Sequence, residues 1–374
     1  GPNGGQSWTV RANQRRPGRI CRLGGSGKGG PRQGNVAVTH ESSPIMQQPW
    51  IALQARQLLA QRGHAWLLHG PSGLGQYALA LALARAWLCE QPTEAGACGV
   101  CGSCHAIDVH THADLCVLMP ETTLMALGWP LSEKAQSEID DKKRKASKEI
   151  RVDAMREAVE FSQRTSARGR GKVVLVYPAE QMNTITANAL LKTLEEPPGD
   201  VKFVLASESA HQLLPTIRSR CLGHSMLWPS NQSSREWLQA QGLEAGLAQR
   251  LLMAMGGRPD EAMSYVASGR EPNAWAQLPK AVAKGDVGYF KDWTIPQTID
   301  ALHKLCNDLM VSQMGAAPRF FSREDLYMGA QFSALSDWSR ALSRSMRTMD
   351  HPFNGGLMLE ALVGQAQSAL NSRH

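Results

Sequence analysis

A glycine-rich loop separates a short apolar run from a long apolar segment, and this order narrows the range of folds sharply. The run at 65–69 reads Ala-Trp-Leu-Leu-His and ends in the loop at 70–75. Residues 76–91 would then be apolar on nearly every side of a helix, which predicts a buried helix. Strand, glycine turn and buried helix together begin an α/β nucleotide-binding unit. A further helix is predicted before them at 50–62, with its stop at Gly63.

The alternation continues along the chain. Strand-like segments follow at 114–119, 172–177 and 201–207, and helical segments at 150–164 and 183–196. The segment at 172–177 is β-branched and apolar on both faces, as a central parallel strand should be. This rhythm predicts a doubly wound parallel sheet. After Pro229 no strand pattern remains, so residues 231–374 are predicted to be all-helical.

The loop has the glycine spacing of a Walker A phosphate loop but lacks its chemistry. Gly70 and Gly75 would let backbone N–H groups wrap a phosphate. The next two positions need Lys for the phosphates and Ser or Thr for Mg²⁺, and they hold Gln76 and Tyr77. The strand that would carry a Walker B acidic pair is followed only by Glu180, a lone acid. The sequence therefore predicts a degenerate loop with no functional ATP site.

Four cysteines follow the buried helix. Cys89, Cys98, Cys101 and Cys104 are separated by eight, two and two residues. Four thiolates at such spacing favour a tetrahedral Zn²⁺ site, and a site filled by protein sulfur is structural rather than catalytic. The alternative is a disulfide cluster, which a long chain without a secretory signal disfavours.

The other cysteines and the nearby histidines are expected to stay outside the zinc site. Four thiolates already complete a tetrahedron. The histidines predicted to be solvated, or to lie behind the ligands, are His105, His110 and His112. The free thiols predicted are Cys21, Cys116, Cys221 and Cys306.

The net charge of +7 comes mostly from residues 1–45, where seven basic residues stand against Glu41. The rest of the chain carries about +1, which argues against a nucleic-acid-binding body. The tail is rich in glycine and is predicted to be disordered. Its run at 24–29 imitates a phosphate loop but has Gly29 where Ser or Thr is needed. Gly1-Pro2 resembles the scar of a removed tag, which makes Met46 a candidate natural start.

A second basic run, at 142–145, lies in a polar insertion at 121–149. We expect an exposed, mobile loop there, with DNA contact as the alternative. No apolar run is long enough to span a bilayer, and no signal peptide opens the chain. A soluble, cytoplasmic protein is therefore expected.

Taken in order, these motifs resemble the AAA+ subunits of the bacterial sliding-clamp loader. They are the degenerate Walker A loop, the four cysteines, the helix end Leu-Leu-Lys-Thr-Leu-Glu-Glu-Pro-Pro at 190–198, and Ser219-Arg220-Cys221. The ATP-binding gamma/tau subunit of that family has the same cysteine spacing and helix end but keeps Gly-Lys-Thr. The resemblance is strong over 46–230 and rests on helical character and length over 231–374.

The resemblance implies an AAA+ α/β domain at 46–228 with a zinc knuckle at 89–104, a small helical lid at 229–270 and an all-α collar domain at 271–374. It implies a stator-like subunit without catalysis of its own, belonging to a DNA polymerase holoenzyme. The implied partners are gamma/tau-type ATPase subunits, the delta subunit, the sliding clamp and primed DNA, with no membrane.

The resemblance also implies that Arg220 is an arginine finger acting in trans on ATP held by a neighbour, with Arg218 as the competing candidate. Ser219 and Cys221 would position or pack it. Lys192 and Glu195 are candidates for contact with a partner. Two other functions stay open: an active gamma/tau-type ATPase, and a zinc-knuckle protein that binds nucleic acid alone.

Overall fold

A five-stranded parallel sheet forms the centre of the first part of the chain. The computed structural model describes residues 48–348 and 355–372, so the N-terminal tail and its phosphate-loop imitation lie outside the described residues. The strands are β1 Ala65–His69, β2 Leu115–Leu118, β3 Lys172–Val176, β4 Val201–Ser207 and β5 Leu222–Ser225. Their order across the sheet is β2-β3-β4-β1-β5, and every neighbouring pair is parallel. The predicted parallel sheet is confirmed.

Both faces of this sheet are covered by helices. On β4, Val204 packs into one apolar cluster with the helices before and after the glycine loop, whereas Phe203 and Leu205 pack into a second cluster on the other face. Successive strand residues point to opposite faces, so a strand buried on both sides is apolar throughout. The helices of this part are α1 Pro49–Leu59, α2 Gln76–Leu88, α3 Gly102–Asp108, α4 Glu121–Ala126, α5 Glu133–Asp140, α6 Val152–Gln163, α7 Thr184–Glu195 and α8 Pro215–Arg218.

The edge strand β5 was not predicted from the sequence. Its four residues are mostly exposed, and Leu222 keeps 44% of its surface accessible. A short edge strand with a polar pattern lacks the apolar signal of β3 and β4. Because β5 pairs with β1, Arg220, which shortly precedes β5 in the chain, lies beside the end of the sheet.

The polar insertion contains two helices, so the prediction of an irregular loop throughout 121–149 is wrong, whereas most of its residues are exposed as expected. It contains α4 and α5, and Arg144 joins them through Glu121 and Glu138 at 2.5 and 2.6 Å. Because its guanidinium bridges two carboxylates, Arg144 is only 24% exposed. The lysines on either side of it are exposed, and DNA contact by them stays a prediction.

The rest of the described chain is helical, as predicted. Helices α9 Asn231–Ala240, α10 Ala245–Ala254, α11 Pro259–Ala267, α12 Leu278–Lys284, α13 Ile295–Gln313, α14 Phe332–Thr348 and α15 Gly355–Leu370 follow β5. Short 3-10 turns lie at Ala179–Gln181, Ala210–Gln212, Pro272–Gln277, Val287–Phe290 and Arg323–Asp325. Within 48–348 and 355–372, none of the helices has the length and apolar character needed to cross a bilayer.

Candidate functional site

The glycine loop joins the carboxyl end of β1 to the start of α2, as the sequence predicted. Gly73 and Gly75 have φ angles of +79° and +87°, which glycine adopts at no steric cost. A Cβ on Gly75 would also lie 2.9 Å from the Cδ1 atom of Ile51. The glycines are therefore required by the backbone of this turn, whether or not it holds a ligand.

Gln76 fills the loop from the inside. Its Nε2 atom donates to the carbonyl oxygens of Gly70 at 2.9 Å and Pro71 at 2.7 Å. The side chain is only 2% exposed. The position that holds the phosphate-binding lysine of a Walker A loop is thus occupied by a neutral amide that bonds to the loop itself.

Arg258 covers the loop from the outside. Its Nε atom donates to the Ser72 carbonyl oxygen at 2.8 Å, and its Cδ atom would lie 2.5 Å from a Cβ on Gly73. The ring of Trp228 lies 5.3 Å from its guanidinium. The sequence did not predict this contact, because Ser72 and Arg258 are 186 residues apart along the chain.

Aromatic side chains occupy the space beside the start of α2. The ring of Tyr77 stacks on Tyr177 with 5.4 Å between centroids, and Trp129 Nε1 donates to the Tyr77 hydroxyl at 2.7 Å. His110 stacks in turn on Trp129 at 3.8 Å. Burial raises the pKa of Tyr77. A bulky, neutral stack therefore stands where the small magnesium-binding hydroxyl of a Walker A loop would be.

The acids at the carboxyl end of β3 and β4 are engaged within the chain. Glu180 Oε1 accepts from the backbone N–H of Glu208 at 3.1 Å, and the Tyr177 hydroxyl donates to Glu208 Oε1 at 2.9 Å. Burial raises the pKa of Glu208. Each glutamate thus has one oxygen occupied by a hydrogen bond from within the chain.

The four cysteines come together as predicted. Their sulfur atoms all lie within 4.8 Å of one another, and Cys89 Sγ is 3.8 Å from the Sγ atoms of both Cys101 and Cys104. A tetrahedron with Zn–S bonds of about 2.3 Å has sulfur atoms about 3.8 Å apart. The cysteines are free thiols with no disulfide between them. The geometry and the soft ligand set thus fit Zn²⁺.

Backbone N–H groups converge on these sulfur atoms. Cys89 Sγ accepts from the N–H groups of Gln91 at 3.4 Å and Cys98 at 3.3 Å, and Cys101 Sγ accepts from Cys104 N–H at 3.5 Å. Such bonds stabilise thiolates, which are the form that binds metal. The backbone N–H of Val100 is the main reason that the pKa of Cys98 is lowered.

The nearby histidines lie outside the four-sulfur cluster. His112 is buried and shares a hydrogen bond of 3.1 Å between its Nε2 atom and Ser103 Oγ, while its Nδ1 atom accepts from Asp114 N–H at 3.0 Å. Burial lowers the pKa of His112, so the neutral ring is favoured. Among the other cysteines, Cys116, Cys221 and Cys306 are free, and Cys21 lies outside the described residues.

Arg220 lies just after α8 and is held by side-chain contacts. Its Nε atom donates to Glu195 Oε1 at 2.5 Å and its Nη1 atom to the Thr216 carbonyl oxygen at 2.9 Å. The side chain is 32% exposed. Cys221 packs against the apolar cluster beneath the strands, whereas Arg218 is exposed. The structure thus brings Arg220 and Glu195 together, a pairing that the sequence did not predict.

The chain is similar to subunits of bacterial DNA polymerase III. A family model described as DNA polymerase III, delta subunit, matches residues 47–226. A DNA polymerase III subunit delta′ from Pseudomonas aeruginosa is 35% identical over 311 residues, which cover 82% of this chain and 79% of the relative. The subunit delta′ of Escherichia coli is 36% identical over 55% of each chain, so the match spans about half of that relative. The subunit tau of Escherichia coli is 36% identical over 42% of this chain and 21% of its own length.

Proposed function

The chain belongs to the family of DNA polymerase III delta′ subunits, and on that premise we propose that it is a non-catalytic, stator-like subunit of the replicative sliding-clamp loader. It would act within the cytoplasmic DNA polymerase III holoenzyme and help to place the clamp on primed DNA. Its direct partners would be gamma/tau-type ATPase subunits and the delta subunit, which is in line with the match to a tau subunit.

The main support for this proposal is that the glycine loop at 70–75 is closed, which means that side chains of this chain occupy it and cover it. Gln76 bonds to two loop carbonyls from within, and Arg258 bonds to a third from outside. A phosphate loop works by turning backbone N–H groups and a lysine toward the ligand. Here a neutral amide and an aromatic ring occupy the two positions that would supply charge and a metal ligand. The closed loop therefore argues against a gamma/tau-type ATPase.

Arg220 would be the residue through which this chain acts on ATP bound by a neighbour. Its guanidinium is partly exposed just after α8, and the planar fork of an arginine matches the geometry of phosphate oxygens. Charge builds on the phosphoryl oxygens as ATP is hydrolysed, and an arginine supplied by a partner stabilises it. The chain itself would contribute no step of bond breaking.

The four-cysteine knuckle would hold one structural Zn²⁺. Its protein ligands would be Cys89, Cys98, Cys101 and Cys104, which leave no position open for water or substrate. The metal would tie the loop after α2 to the start of α3, and its charge would stabilise the thiolates.

The domain division would follow the same family pattern. Residues 46–228 would form the AAA+ α/β domain, 229–270 a helical lid and 271–374 a helical collar domain that joins the subunits. Deletion of 271–374 should then abolish assembly and leave the zinc-binding part folded, which size-exclusion chromatography and zinc content would measure. Full assembly by the shortened chain would contradict this division.

Equilibrium dialysis of the isolated chain against Mg²⁺-ATP tests the proposed function. The expected result is no saturable binding, together with co-elution of the chain with a gamma/tau-type subunit and a delta subunit on size exclusion. Saturable ATP binding that is lost when the loop is altered would point to an active ATPase instead. Failure to join the complex would remove the clamp-loader assignment.

A further inference from the structure

Helix α7 ends on an acidic residue that its own backbone does not favour. Glu195 is the last residue of the helix, where the unpaired carbonyl groups give the axis a negative end. A carboxylate at that position is disfavoured unless a cation lies beside it. Lys192, the basic residue in the last turn, has its side chain exposed.

The cation beside Glu195 is Arg220. The Nε and Nη2 atoms of Arg220 both bond to Glu195 Oε1, the first at 2.5 Å. On the other side of the guanidinium, Nη1 donates to the Thr216 carbonyl oxygen at 2.9 Å, and Ser219 Oγ lies 3.5 Å from the same nitrogen. Glu195, Thr216 and Ser219 thus accept from all three nitrogen atoms of the Arg220 guanidinium, which fixes its plane.

Resting on the proposed function, we propose that Glu195 is the positioning residue of the arginine finger: it holds the guanidinium of Arg220 in one orientation with an outer edge free for a neighbour's phosphate. A free arginine samples many rotamers, and an arginine fixed before the encounter loses less freedom on contact with the phosphate. Four contacts on a guanidinium with five N–H donors leave at least one donor for a neighbour's phosphate.

The exposure of the pair indicates that stability is not its purpose. Glu195 and Arg220 are 48% and 32% exposed, and ion pairs in contact with solvent contribute little to folding. Removal of Glu195 should therefore leave the chain folded. The next residue, Glu196, offers a matched control, because it is an exposed acid at the same helix end and the guanidinium bonds to Glu195 rather than to it.

The test is the steady-state ATPase of the complete complex, reconstituted with gamma/tau-type ATPase and delta subunits and stimulated by clamp and primed DNA. Glu195→Ala should lower kcat about two-fold and leave the KM for ATP unchanged, because the finger acts on charge that develops in the transition state. Glu196→Ala should have the wild-type kcat. Glu195→Gln should recover part of the loss, since its amide oxygen still accepts from Nε–H.

A double-mutant cycle makes the interpretation specific. Arg220→Ala should lower kcat roughly a few-fold, because one of several ATP sites in the complex loses its finger. Adding Glu195→Ala to Arg220→Ala should not lower kcat further. Circular dichroism melts confirm that each variant is folded.

If the Glu195→Ala complex has the wild-type kcat while the Arg220→Ala complex is slow, Glu195 does not position Arg220. Arg220 would still be the arginine finger. A raised kcat for Glu195→Ala would overturn it as well, because Glu195 would then hold Arg220 back. Wild-type kcat for Arg220→Ala would remove the finger itself, and with it anything for Glu195 to position.

Discussion

Restoring the two missing Walker A side chains, by Gln76→Lys with Tyr77→Thr, should destabilise the chain without giving it an ATP site. Tyr77→Thr removes a half-buried ring that stacks on Tyr177, a loss of about 2 kcal/mol. It also breaks the 2.7 Å hydrogen bond from Trp129, for about 1 kcal/mol more. Gln76→Lys puts an ammonium group at a position that is 2% exposed, at a further cost of about 1–3 kcal/mol.

The double variant should therefore lose about 4–6 kcal/mol of unfolding free energy. ATP binding should still be absent, because Arg258 continues to cover the loop and the engaged glutamates provide no acidic pair for Mg²⁺. Urea unfolding followed by circular dichroism measures the first result, and dialysis against Mg²⁺-ATP the second.

Tyr77→Phe is the matched control for this experiment. It keeps the stacked ring and removes only the hydroxyl that accepts from Trp129, so about 1 kcal/mol should be lost. A double variant of wild-type stability that binds Mg²⁺-ATP tightly would refute the idea that the loop is closed by its surroundings. The wild-type loop would then fail to bind ATP only because it lacks the Lys and Thr side chains of a Walker A loop.

Three further predictions concern the metal site, a buried acid and the insertion. Elemental analysis should find one Zn²⁺ per chain, and a chelator should lower the melting temperature; protein without zinc, or a disulfide among the four cysteines, would contradict this. Asp114→Asn should cost about 3 kcal/mol, because Asp114 is fully buried and bonds to two backbone N–H groups and to buried Lys172. Burial raises the pKa of Asp114, but hydrogen bonds from the N–H groups of Ala167 and Arg168 and from the side chains of Ser166 and Lys172 together hold that pKa below its usual value. The contribution of Asp114 to stability is therefore full above about pH 4 and is lost as the pH falls through the folded pKa. A difference in stability between wild type and variant that does not change with pH would exclude this. Arg144→Ala should increase hydrogen exchange across α4 and α5 and leave exchange in the sheet unchanged, since Arg144 joins the two helices through their glutamates.

Most strands of the sheet could be predicted because each has a recognisable apolar pattern within its own few residues. The apolar runs that became β1, β3 and β4 are buried on both faces, and such runs can be recognised without knowing their neighbours. The four cysteines were predictable for the same reason, since their short spacing already brings the sulfur atoms near one another.

The contacts that close the loop could not be predicted, because they join distant segments. Arg258 reaches Ser72 across 186 residues, and Trp129 reaches Tyr77 from an insertion that looked unstructured. The two helices of that insertion are joined by Arg144, which belongs to a basic run that is typical of a solvated surface. The pairing of Arg220 with Glu195 likewise depends on how α7 and α8 lie beside each other, and no periodicity records that.

The ATPase rate of the reconstituted complex with Arg220→Ala in this chain measures most directly whether the chain acts on ATP held by a neighbour. An arginine finger contributes on the order of 10³-fold or more in GTPases, but one finger lost among several sites should lower the bulk rate only a few-fold. Assembly should be unchanged, and Arg220→Lys should not restore the full rate, because a point charge cannot replace the planar fork. An unmutated rate with Arg220→Ala, together with a loss of rate with Arg218→Ala, would contradict the assignment of Arg220 as the finger.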